Sequence, residues 1–68
     1  MSQVEPEKLK MLIAHWIEHN SEHASEFREL AETVKGQEAL DVSSELSQAA
    51  QGIDQANDWL NKALEKVK

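Results

Sequence analysis

Residues 9–34, LKMLIAHWIEHNSEHASEFRELAETV, carry the pattern from which the fold is read. Leu9, Ile13, Trp16, Asn20, His23, Phe27, Leu30 and Val34 recur at alternating spacings of four and three. That rhythm is a coiled-coil-like seam along one helix face, held over about four heptads. No breaker interrupts it between Pro6 and Gly36. Pro6 suits a first helical turn, and Ser2 with Glu5 three residues later resembles a capping box. Gly36, preceded by Lys35, suits a C-terminal cap. A first helix is therefore predicted over residues 6–35.

The downstream half repeats the rhythm. Val42, Leu46, Ala49, Ile53, Ala56, Leu60, Ala63 and Val67 keep the same spacing and predict a second helix over residues 41–67. Neither segment alternates with period two, so strands are not in contention. Gly52 lies inside the second pattern without shifting its phase, which favours one helix with a local kink at most. The connection is placed at 36–40, with Asp41 as N-cap and Leu40 folded over the end of the hairpin. Antiparallel pairing then sets Asn20 and His23 opposite Ile53 and Ala49, and Trp16 near Ala56. Phe27 comes near Leu46, and Ile13 near Leu60. The expected fold is an all-α, antiparallel two-helix hairpin forming one domain.

A chain of 68 residues is near the lower limit for an independent core. Cysteine is absent, which removes disulfides and thiolate ligands together and leaves a metal or self-association as the source of added stability. The net charge of -6, with basic residues scattered along the chain, argues against nucleic-acid binding. No apolar run approaches the roughly 20 residues needed to span a bilayer, and no signal-peptide core stands near Met1. A cytoplasmic protein without membrane contact is expected.

The hairpin alone leaves apolar residues over. Leu12 and Ile17 flank the first seam, and Trp59 and Leu64 the second. Together with Trp16 and Asn20 they form the expected interface, either of a homodimer closing a four-helix bundle or with a helix of another protein. Trp59 has two readings, as a cover over the bare surface at Gly52 or as an anchor for a partner.

One motif points to chemistry. From His15 to Glu26 the sequence reads HWIEHNSEHASE, a threefold H-x-x-E repeat containing every histidine of the chain. Each four-residue step drifts about 40° around a helix, so the histidines form one slowly turning stripe. Histidines at i and i+4 can chelate one ion through two imidazoles. His19 and His23 are the favoured pair, with Glu22 or Glu26 as an oxygen ligand and His15 assisting. His15 and His23 are separated by about 12 Å of helical rise and cannot share an ion. Imidazole and carboxylate donors without sulfur suit Zn, Ni, Co or Cu as divalent ions. The plainer reading is that His and Glu at i and i+3 are ordinary helical neighbours, while Asn20 and His23 fix pairing register.

Catalysis finds little support. The serines sit on no nucleophile elbow or glycine loop, and Ser21 points away from His19 and His23. The Glu-x-x-His spacing of di-iron bundles is absent, because Leu12, Trp16 and Asn20 stand three residues before the histidines. No enzymatic activity is expected.

The segment LKMLIAHWIEHNSEHASEFRELAE resembles a group of small, uncharacterised prokaryotic helical proteins with an H-W-x-x-H-N-x-x-H core. Its counterparts here are His15, Trp16, His19, Asn20 and His23. The resemblance implies that these residues act as a unit, and it brings no function with it. Two functions remain from the sequence, a protein–protein interaction or self-association module and a binder of a divalent transition metal.

Overall fold

A computed structural model describes residues 4–37 and 39–67. They form two helices, α1 (Pro6–Gly36) and α2 (Leu40–Lys66), packed along their length in a rod of 50 × 21 × 14 Å. No strand occurs among the described residues. The protein is an all-α helical hairpin.

The helix ends differ in detail from the expected ones. Pro6 opens α1 after Glu5, whose extended backbone starts the helix without a side-chain cap. Ser2 lies outside the described residues, and so does the capping box built on it. Gly36 stays helical and Gln37 closes the helix, its N–H donating to the carbonyl of Val34 at 3.1 Å. The Ala39 N–H donates to the same carbonyl at 2.9 Å, which folds the connection tightly. α2 therefore starts one residue early, at Leu40, with Ala39 rather than Asp41 in the cap position. Asp41 falls in the first turn, where its charge favours the helix dipole. Leu40 is exposed instead of covering the hairpin's end. α2 passes through Gly52 as one continuous helix, and a methyl group built there meets nothing within 4 Å. Trp59 thus does not cover Gly52.

The seam between the helices has a different phase from the expected one. Ile13, Ala24 and Ala31 are buried on α1, and Ser43, Ala50 and Asn57 on α2. Nine of the sixteen expected seam positions hold: Ile13 is buried, and Leu9, Asn20, Phe27, Val34, Leu46, Ile53, Leu60 and Val67 are half-buried. The other seven move by one residue. Ile17, Ala24 and Ala31 replace Trp16, His23 and Leu30, while Ser43, Ala50, Asn57 and Leu64 replace Val42, Ala49, Ala56 and Ala63. The displaced residues are all exposed.

Packing explains the shift. Small residues at a helix contact let the two axes approach, whereas Trp16 or Leu30 there would hold them apart. Asn57 fixes the register. Its amide nitrogen donates to the Ile17 carbonyl at 3.2 Å and to Ser21 Oγ at 3.1 Å, and its oxygen accepts from Asn20 Nδ2 at 3.0 Å. One heptad on, this register sets Ala50 level with Ala24, and two heptads on, Ser43 level with Ala31. Ala50 is 0% exposed and Asn57 only 7%. Among the described residues, every buried side-chain nitrogen and oxygen has a hydrogen-bond partner. The polar cluster therefore holds the helices in one alignment without an orphaned group.

Candidate functional site

The shared row of α1, with Ile13 buried and Asn20, Phe27 and Val34 half-buried, runs between two flanking rows. On one flank, Ile17, Ala24 and Ala31 pack against α2. On the other lie Leu9, Trp16, His23 and Leu30, about 100° of helical rotation away from the first flank. α2 is built the same way. Ser43, Ala50 and Asn57 face α1, while Val42, Ala49, Ala56 and Ala63 form the outer row. Antiparallel pairing brings the two outer rows to the same edge of the hairpin. That edge is apolar and open: Trp16 is 45% exposed, Leu30 49% and Val42 51%.

The opposite edge is polar. Arg28 and Asp54 pair there across the helices, both half-exposed. A pair so wetted contributes at most about 1 kcal/mol. Its value here is as a marker of sidedness, with charges on one edge of the hairpin and large apolar side chains on the other.

The expected interface residues divide between these environments. Ile17, Asn20 and Leu64 are taken into the contact between the helices, and Leu12 is half-buried. Trp16 stands on the open edge. Trp59 lies on the outer margin of that edge, 70% exposed, with Lys62 Nζ 4.5 Å from its ring centre. Asn57, the most connected polar side chain of the contact, escapes a reading based on apolar spacing. Its signal was the heptad series Ser43, Ala50, Asn57, small or polar at each step.

The three histidines are exposed and form a ladder along α1. His15 stacks loosely on His19, with ring centres 6.0 Å apart. His19 and His23 meet edge to face, their centres 4.5 Å apart and their Nε2 atoms at 3.1 Å. On the far side of His23, Nδ1 lies 3.1 Å from Glu26 Oε1. With the His23 proton on Nδ1, facing the carboxylate, its Nε2 lone pair faces Nε2 of His19, which donates to it in the Nε2–H tautomer. Glu26 is thereby engaged with the ring behind the pair. Glu22 makes no hydrogen bond among the described residues, and no three His, Asp or Glu side chains there gather as a ready metal cluster.

The fold places the chain among small all-α helical hairpins. Within that class, the chain belongs to the family described as Domain of unknown function (DUF8180), whose model matches residues 9–67. It is also similar to an uncharacterised protein of Archaeoglobus fulgidus, 33% identical over 61 residues, covering 90% of this chain and 97% of the relative. No solved structure matches. No helix among the described residues is long and apolar enough to cross a membrane.

Proposed function

We propose that this protein is a self-association module, in which two hairpins pair through their open edges to close a four-helix bundle. It works by association rather than catalysis. The observation that carries this reading is the double seam of each helix. The row Ile13, Phe27 and Val34 on α1, like Leu46, Ile53 and Leu60 on α2, has the buried Ala24 and Ala31, or Ser43, Ala50 and Asn57, on one flank, and on the other exposed residues that are apolar except for His23. Helices of a four-helix bundle have two neighbours each and need two overlapping seams, whereas a lone hairpin needs one.

The energetics point the same way. Among the described residues, no large side chain is fully buried within the hairpin. Completing the burial of Trp16, Leu30 and Val42 is worth about 1 kcal/mol or more for each. Two-fold pairing counts every such residue twice. For a chain of 68 residues without cysteine, that gain is a substantial part of the stability of a small domain.

Sedimentation equilibrium of the protein in a chelating buffer tests the proposal. The wild type is expected at twice the 7.7 kDa chain mass, and Leu30→Glu at the single-chain mass with its helicity retained. A wild type that stays a single chain at every concentration, with full helicity, contradicts it.

A further inference from the structure

We infer that His19 and His23 form a two-nitrogen chelate for a divalent late first-row transition ion, held in shape by Glu26. The inference stands on one chain: His23 belongs to the open-edge row that pairing would cover, so the titration is made at a concentration where single chains prevail. Its starting point is the 3.1 Å between the two Nε2 atoms. Two imidazole nitrogens bound about 2.0–2.1 Å from one ion, at angles between octahedral and tetrahedral, lie roughly 2.9–3.4 Å apart. The two Nε2 atoms already have that spacing.

The second observation is Glu26. Histidines that ligate metals through one nitrogen commonly donate the other N–H to a carboxylate, which fixes the tautomer and makes the ligand nitrogen more basic. Glu26 Oε1 stands 3.1 Å from His23 Nδ1, in that position. Glu26 is thus a positioning residue and not a ligand.

In the Nε2–H tautomer of His19, the proton between the two Nε2 atoms occupies the ion's place. Binding shifts it to Nδ1 of His19, which stays neutral, and the two Nε2 lone pairs become the ligands. The chain supplies only these two donors, since no third acidic or histidine side chain among the described residues joins them. Water completes the shell. Paired imidazoles without thiolate select zinc, nickel, cobalt or copper as divalent ions over magnesium or calcium, which require oxygen. His15 sits one turn away with its ring 6.0 Å from that of His19 and stays outside the chelate.

The test is a titration of the metal-free protein with Zn(II) alone, followed by the histidine ring signals in NMR and by calorimetry. The expected result is one ion per chain, with saturable shifts at His19 and His23 and a much smaller one at His15. His19→Gln should weaken binding at least tenfold, and Glu26→Gln about tenfold. His15→Gln should change it less than twofold. All three positions are exposed, so the variants keep the fold and a loss of binding reports the site. Equal, weak shifts at the three histidines would overturn the chelate, as would a His19→Gln protein that binds as well as the wild type. Unchanged affinity in Glu26→Gln would overturn the positioning role.

Discussion

The two edges of the hairpin are made from the same heptads and serve opposite ends. Toward the partner helix, α1 and α2 present alanines, a serine and an asparagine, and these residues are buried. Toward solvent, one residue earlier in each heptad, they present Trp16, Leu30 and Val42, and these remain exposed. Hydrophobicity alone would have reversed the choice. Close approach decides it, because a small-residue contact lets the backbones near each other and lets Asn57 reach a carbonyl of α1. The larger side chains are then free to face a second layer.

The comparison is broken most severely by exchanging sizes. Ala50→Leu forces a large side chain into the closest contact and should lower unfolding stability by about 3 kcal/mol. Ala49→Leu, one residue earlier on the open edge, should change it by less than about 0.5 kcal/mol where single chains prevail. Urea unfolding of both variants at low concentration reads the difference. Equal losses would remove the distinction between the edges.

Next in size is the polar cluster. Asn57→Ala strips a partner from Asn20 and Ser21 in the middle of the contact and should cost about 2 kcal/mol by thermal unfolding. Gly52→Ala should act the other way. The added methyl meets open space in the middle of α2, and about 1 kcal/mol of stability is expected from helix propensity. A loss there would mean that the helix bends at Gly52. The smallest effect belongs to the polar edge, where Asp54→Ala should cost about 0.5 kcal/mol, most of it removed by salt.

Much of this was legible in the sequence. The scarcity of breakers between Pro6 and Gly36, and the unbroken phase across Gly52, disclose two long helices and their antiparallel turn. The shared row is equally plain, since Phe27, Val34, Leu46, Ile53 and Leu60 belong to the seam in either phase. The choice of flank is not plain, because rows on both sides of the shared one satisfy the same spacings of three and four. Apolar weight drew the reading to Trp16, Leu30 and Val42, whereas size complementarity across the contact was what mattered.

The histidine pair was legible from its local spacing, as was the approach of Glu26 to His23 three residues away. Asn57 was not. Its partners lie on the other helix, and only the final register brings them within reach.

The central claim is that a second copy covers the open edge, and Trp16 reports on it most directly. In a Trp59→Phe protein, Trp16 is the sole tryptophan. Its fluorescence quenching by acrylamide would be followed as the protein is diluted. Shielding at high concentration that gives way to free quenching as pairs dissociate is the predicted result. Equally strong quenching at every concentration would contradict the account, since the apolar edge of the hairpin would then remain open to water.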